Sequence, residues 1–250
     1  MVEELEKIIF EVMKRAIIIG ATSGIGKSLC GELIRKGYVV GITGRRSELL
    51  QSIRDQDPER TYAAVMDVRE LSTLGTQCND LVHQLGGLDL LIICAGIGIF
   101  NTELDHAKEE ETIRTNVSGF ACIADWGMRY FKDQQHGHLV AITSVAGIRG
   151  NGAAPAYNAS KAFQISYLEG LRLNVEKSKL SIQVTDIRPG FVDTDMAKGE
   201  GMFWISTVER AAKQIVDAIQ KKRKVAYVSK RWRLVALLLA ILPYSLYRKI

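Results

Sequence analysis

Short apolar runs alternate with longer stretches of helical periodicity from residue 16 to residue 228. Ala16–Gly20 is an unbroken apolar run closed by glycine, the pattern of a buried strand. From Ile25 to Lys36 apolar residues recur at helical spacing, and Gly37 is placed to stop that helix. Tyr38–Thr43 predicts a second strand, Ser47–Arg54 a helix, and Tyr62–Met66 a third strand ending at Asp67. The alternation continues with a helix near Leu71–Leu85, a strand at Leu88–Cys94 and a long helix near Lys108–Phe131. A strand at His138–Thr143, a helix at Tyr157–Lys177 and a strand at Ser181–Ile187 follow, then a helix at Thr207–Lys221 and a last strand at Val225–Val228. Strands alternating with helices predict an α/β fold, a parallel sheet with helices on both faces. Right-handed crossovers make it doubly wound, and its ligand belongs at the carboxyl ends of the strands.

The two ends depart from this alternation. In residues 1–13, Leu5, Ile8, Ile9 and Val12 recur at helical spacing among Glu and Lys, which predicts a short amphipathic helix. No long apolar run is present there, so no secretory signal is expected. Met13 stands just before the first strand, and translation starting there would leave residues 1–12 dispensable. Residues 14–229 are expected to form one domain, and 230–250 a basic and apolar tail. A chain of 250 residues suits a single α/β domain that buries roughly three quarters of its unfolded surface.

The net charge of +5 is unevenly spread. Residues 221–250 hold nine Lys or Arg and no acid, and removing that +9 leaves −4 for the other 220 residues. Leu234–Leu242 is nine apolar residues ended by Pro243, whereas a spanning helix needs about 20. Lys221–Lys224 and Lys230–Arg233, with Trp232 among them, precede this run, and Tyr244, Tyr247, Arg248 and Lys249 follow it. Two readings of the tail stand level: a helix lying in a membrane interface, or a segment that covers the substrate pocket or a subunit contact. Positive charge confined to a tail gives little reason to expect a nucleic-acid partner. Cys30, Cys78, Cys94 and Cys122 are scattered without a CxxC pair or metal-like spacing, so they are read as reduced thiols of a cytoplasmic protein, with no metal.

The first strand runs directly into Gly20-Ala21-Thr22-Ser23-Gly24-Ile25-Gly26 and then a helix. That context gives a glycine loop its meaning: a tight turn, close backbone approach to a pyrophosphate, and an anion at the helix N-terminus. The second strand ends in Thr43-Gly44-Arg45-Arg46, about 20 residues on, where an NAD site carries an acid for the ribose hydroxyl. Two arginines there offer forked donors to a 2′-phosphate instead. Arg45 is the first choice, and NADP(H) is favoured over NAD(H).

Tyr157-Asn158-Ala159-Ser160-Lys161 puts a phenol and an ammonium at i and i+4, on one helix face. An ammonium beside a phenol lowers its pKa, so Tyr157 is expected to exchange a proton with a carbonyl or alcohol oxygen. Ser144, just after a strand and 13 residues earlier, has a hydroxyl suited to hold that oxygen as charge develops.

The Gly-x-x-x-Gly-x-Gly spacing, Ser144 and the Tyr157/Lys161 pair resemble the classical short-chain dehydrogenases/reductases, over roughly residues 14–228. The resemblance implies a Rossmann-type fold and an NADP(H)-dependent oxidoreductase acting on a ketone or secondary alcohol. It identifies Asn116 as the fourth member of a catalytic tetrad, holding a water that links the lysine to a proton relay. Carried over residue by residue, Gly20, Gly24 and Gly26 are the family's three glycines, with Thr22, Ser23 and Ile25 among them at the cofactor. Asp67-Val68 falls at the adenine ring, Cys94-Ala95-Gly96 at the turn after the fourth strand, and Pro189-Gly190, Val192 and Thr194 at the nicotinamide. Lys161 also donates to the nicotinamide ribose. Two positions depart from the family, Ile19 where Thr is usual and Cys94 where Asn is usual. They are expected to have become apolar together and to support the loop by packing. Ile97–Phe100, Val145–Ile148, Asn151 and the loop from Phe191 to Trp204, with Met196, Met202 and Phe203, are the expected substrate walls. They are mostly apolar, which favours a hydrophobic carbonyl compound. A homodimer or homotetramer is usual in the family, through helices such as the one carrying Tyr157. The runner-up reading is a catalytically silent cofactor-binding protein of the same fold; the intact Ser144/Tyr157/Lys161 set argues against it.

Overall fold

A strand without a polar side holds two cores at once. β1 (Lys14–Ile19) sends Ala16 and Ile18 into one core, and Ile17 and Ile19 into another on the opposite face of the sheet. In the computed structural model, which describes residues 13–196 and 202–249, the chain continues as α1 (Gly24–Arg35), β2 (Tyr38–Gly44), α2 (Ser47–Arg54), β3 (Thr61–Val65), α3 (Leu71–Leu85), β4 (Leu90–Ile93), α4 (His106–Ile113), α5 (Phe120–Gln134), β5 (His136–Ile142), α6 (Pro155–Ser178), β6 (Ser181–Pro189), α7 (Val208–Gln220) and β7 (Val225–Val228). All seven strands are parallel, in the order β3-β2-β1-β4-β5-β6-β7. Leu29 and Leu33 of α1, Leu50 of α2 and Ile215 of α7 fill the first core. Leu74 and Leu81 of α3, Phe120 and Phe131 of α5 and Leu168 of α6 fill the second. The helix expected at the N-terminus lies outside the described residues.

The strand order reverses at β1, between β2 and β4, and this opens the cleft in which such folds bind ligands. Thr43, Ile19, Ile93, Ala141 and Asp186 stand side by side in register across five strands. The segments that follow them, from Gly20, Gly44, Cys94, Thr143 and Pro189, therefore leave the sheet on one side.

The helix expected near Lys108–Phe131 is longer and is not regular. Asp105 caps its start, accepting from Ala107 N at 3.0 Å. Between α4 and α5, residues Arg114–Gly119 form a π-helical turn. A methyl on Gly119 would run into the carbonyl oxygen of Val68, so the chain passes this point only with glycine. The wide turn contains Asn116, which is fully buried.

Beyond β7 the tail folds back. α8 (Trp232–Ile241) buries Trp232 and Ala236 against Val145, with Phe191 and Tyr227 alongside. The Arg149 guanidinium donates to Leu242 O and lies 5.0 Å from the Tyr247 ring of α9 (Tyr244–Tyr247). Tyr247 Oη donates to Gly150 O at 2.5 Å. The inner face of α8 thus packs on the domain. Among the described residues no helix is long and apolar enough to cross a membrane.

Gly119→Ala is expected to lose about 1–3 kcal/mol, because the obstacle is backbone, which a thermal melt reads as a fall of several degrees. Gly170 lies inside α6 with open space where a methyl would go. Gly170→Ala should therefore gain about 0.5–1 kcal/mol. Equal effects of the two substitutions would contradict this packing.

Candidate active site

The loop after β1 is fixed by close backbone contacts. Gly20 and Ala21 donate to Thr43 O at 3.1 and 2.8 Å, and Gly20 has φ +89°. A methyl on Gly20 would sit 2.6 Å from the Ala95 backbone, and one on Gly26 would run into the Gly20 carbonyl. α1 then opens at Gly24 with no side-chain cap and no acid in its first turn. Its first N–H groups and positive dipole end are left for an anion.

The Ser23 hydroxyl, which might have capped that helix, instead meets an arginine. Arg46 Nη2 donates to Thr22 Oγ1 at 2.7 Å and to Ser23 Oγ at 2.8 Å. Arg46 thus reaches the loop, while Arg45, exposed like Arg46, acts by charge on Asp67. A guanidinium and two hydroxyls beside an open helix N-terminus fit a doubly charged phosphate.

Asp67 is held below the ordinary carboxyl value, chiefly by hydrogen bonds from Arg69, whose Nη2 is 2.6 Å from it. Val68 packs at the Gly119 crossing. Cys94 and Ala95 donate to Ile19 O at 2.9 and 2.7 Å, closing the turn toward Gly96. The side chains of Ile19 and Cys94 do not support each other. Ile19 enters the core beneath α3, α5 and α6, whereas Cys94 packs on the opposite core and its thiol faces the Gly26 N–H. Their proposed coupled packing fails because successive side chains of a strand point to opposite faces.

The catalytic candidates converge. Ser144 caps the short 3₁₀ turn Val145–Ile148, accepting from Ala146 N at 3.0 Å. That turn lies hard against α6: a methyl on Gly147 would fall 2.7 Å from the Lys161 carbonyl carbon. Asn158 Nδ2 ties it down through Ala146 O at 2.7 Å and Arg149 O at 3.0 Å. The Ser144 hydroxyl faces Tyr157 and favours the ionised phenol. Lys161 Nζ, nearly fully buried, donates to Ile142 O and to Gln164 Oε1, each at 3.0 Å. Asn116 pairs with both backbone groups of Ile97, at 2.9 and 2.8 Å, and donates to Ser160 Oγ at 3.0 Å.

The electrostatics differ from expectation. Burial pushes the Tyr157 phenol up, with Ser144 working against the rise. Burial also brings the Lys161 ammonium down to about 8, against the pull of Cys94 and Asp186. Lys161 Nζ lies 6.0 Å from the Tyr157 ring centre, and desolvation is the largest influence on both groups.

The substrate side is partly as expected. A methyl on Gly98 would touch Met196 and Tyr157 alike at 3.3 Å, so both side chains border Gly98. Thr194 crosses to the glycine loop, 3.1 Å from where a Gly24 methyl would be, and Val192 bridges to Ser206. Phe203 stacks on Trp232, with ring centres 5.0 Å apart. Val145 is covered by α8. Asn151 is exposed, and its side-chain oxygen accepts from Ala153 N at 2.8 Å. Residues missed in the sequence are Gln164 and Trp232. Trp232 packs so closely over Gly190 that any side chain there would displace it. Its only sequence signal was an aromatic among basic residues, 42 positions away.

A family model described as short chain dehydrogenase matches residues 14–202. Over 188 residues, 73% of this chain and 74% of the relative, the sequence is 34% identical to an uncharacterised oxidoreductase of Myxococcus xanthus. It is 30% identical over 179 residues, 70% of this chain and 71% of the relative, to the NADP-dependent 3-hydroxy acid dehydrogenase YdfG of Escherichia coli. The closed form of a serine dehydrogenase complexed with NADP+ shares the fold, with a TM-score of 0.77 at 24% identity over 85% of this chain and 93% of that one. With most of the chain matched and the glycine loop, Ser144, Tyr157 and Lys161 in one cleft, the chain belongs to the short-chain dehydrogenase family of oxidoreductases.

Proposed function

We propose that the chain is an NADP(H)-dependent oxidoreductase acting between a hydrophobic ketone and its secondary alcohol, with Tyr157 as general acid/base. The observation that carries the cofactor is Arg46 bridging Thr22 and Ser23 at the open end of α1; two similar proteins bear NADP in their names. Arg46, Thr22 and Ser23 hold the 2′-phosphate side, with Arg45 beside them. Gly20, Gly24, Ile25 and Gly26 admit the pyrophosphate. Asp67, Val68 and Cys94–Gly96 line the adenosine side, and Pro189, Gly190, Val192 and Thr194 the nicotinamide side. When bound, the cofactor supplies or accepts hydride. Ser144 holds the substrate oxygen. Tyr157, kept protonated by burial, gives its proton to that oxygen as negative charge develops. Lys161 presents its remaining donor to the cofactor ribose. Met196 and the Phe203–Trp232 stack make the neighbouring wall apolar, which suits a hydrophobic substrate. The family's usual homodimer or homotetramer is proposed through α6, where Phe163 and Leu173 are exposed.

A membrane contact is favoured by a separate feature. Leu234, Leu237, Leu238 and Ile241 line the outer face of α8, 54–70% exposed. Exposed Lys230, Arg231, Arg233, Arg248 and Lys249 flank it, in a segment without acids. An apolar stripe with a basic rim matches an anionic lipid surface.

Tyr157→Phe should lower turnover about 10²–10⁴-fold and leave NADPH affinity intact; wild-type turnover by that variant would overturn the acid/base role. NADPH binding without turnover by the wild type would favour the silent alternative. Arg46→Ala should weaken NADPH about 10–100-fold and spare NADH, both read by titration of nucleotide fluorescence; equal losses would remove its phosphate role. The protein should sediment with vesicles containing phosphatidylglycerol, less so in high salt. The Leu237→Asp/Leu238→Asp variant should stay in solution with unchanged NADPH affinity. Wild-type protein that ignores vesicles, or a variant altered only in self-association, would exclude the membrane.

A further inference from the structure

The water expected on Asn116 meets an obstacle. Gln164 lies one turn beyond Lys161 on α6 and is 1% exposed. Its Oε1 accepts from Lys161 Nζ at 3.0 Å, and its Nε2 donates to the main-chain oxygen of Asn116 at 2.8 Å. The orientation of this amide is chemically fixed, because an ammonium only donates and a carbonyl only accepts. One side chain therefore spans the gap between the lysine and the π-helical turn. Two of the three Lys161 donors are used, on Ile142 O and on Gln164, which leaves one for a ligand in the cleft.

We propose that Gln164 is a positioning residue that holds the Lys161 ammonium in its charged state and closes the route by which a water on Asn116 would reach it. The proposal rests on the reading of Lys161 as the ribose-binding lysine. A carboxamide is a fixed dipole. Its carbonyl stabilises the ammonium where burial opposes the charge, and a primary amide does not pass protons near neutral pH as a water does. Protons for Tyr157 then come from the cleft side. The other groups facing Lys161 are Cys94 from the loop after β4, Asp186 from β6 and Tyr157 from its own helix. Asp186 is paired with Arg188 at 2.7 Å. Burial keeps the Cys94 thiol protonated, its pKa raised to about 11, and the Tyr157 phenol is also raised. Neither the thiol nor the phenol changes charge across the range in which Lys161 loses its proton.

The test is the dissociation constant of NADPH as a function of pH, from 7 to 10, which needs no substrate. In the wild type, affinity should fall as Lys161 deprotonates, from about pH 8 upward. Gln164→Leu removes the carbonyl and should move that fall about one to two pH units toward acid. Gln164→Glu keeps an acceptor, adds charge and should move it toward alkali. Opposite shifts from two substitutions at one site are not what a packing role produces. Melting curves and NADPH affinity at pH 7 show whether each variant is folded, and if the leucine variant is not, the glutamate shift alone decides. A fall at the wild-type pH in the folded variants would overturn the proposal. Lys161→Met separates the two layers: if it binds NADPH like the wild type and its affinity still falls at the same pH, the reading of Lys161 is wrong. If Lys161→Met abolishes that fall and the Gln164 variants leave it in place, only the role of Gln164 is wrong.

Discussion

A buried ammonium needs partners in every direction, and the site is arranged around that requirement at Lys161. Stranding a charge inside a protein costs several kcal/mol unless hydrogen bonds replace water. Here the end of β5 supplies one acceptor and Gln164 a second. Gln164 is held in turn by the carbonyl of Asn116, which sits in the π-helical turn that glycine at 119 allows past Val68. The Ser144 turn lies directly on the helix that carries the lysine, again through a glycine, Gly147. The positions of Ser144, Tyr157 and Asn116 thus follow from enclosing one cation. The same burial leaves the ammonium weak and the phenol protonated.

Much of this was legible in the sequence because it is local. Apolar runs and helical periodicity placed the strands and helices, and Tyr-x-x-x-Lys followed from helix geometry alone. The glycine loop was legible because glycine at Gly20 and Gly26 answers a steric demand that no other residue meets. What escaped is long-range. The π-helical turn depends on Val68, about fifty residues before it. Which arginine reaches the glycine loop depends on where a side chain on β2's exit meets two hydroxyls on β1's loop. Neighbouring arginines look alike until the backbone sets their directions. Ile19 and Cys94 were linked by adjacency to one loop, but the sheet separates their side chains. The pKa of Tyr157 was judged from its neighbour, when its burial mattered more.

The tail joins these themes. α8 is two-faced: Trp232 and Ala236 seal the Val145 side of the site, while Leu234, Leu237, Leu238 and Ile241 remain in water. Composition revealed an apolar run but could not tell which residues faced in. Trp232 also stacks on Phe203 and lies 6.2 Å from Trp204, so the segment after β6 and the tail form one aromatic layer over Gly190.

Hydride transfer to a carbonyl is tested most directly by isotope. NADPH carrying deuterium at C4 of the dihydronicotinamide, incubated with the protein and a set of hydrophobic ketones, should give alcohol with deuterium on the carbinol carbon. Folded protein that binds NADPH and yields no labelled alcohol from any of them would contradict the assignment.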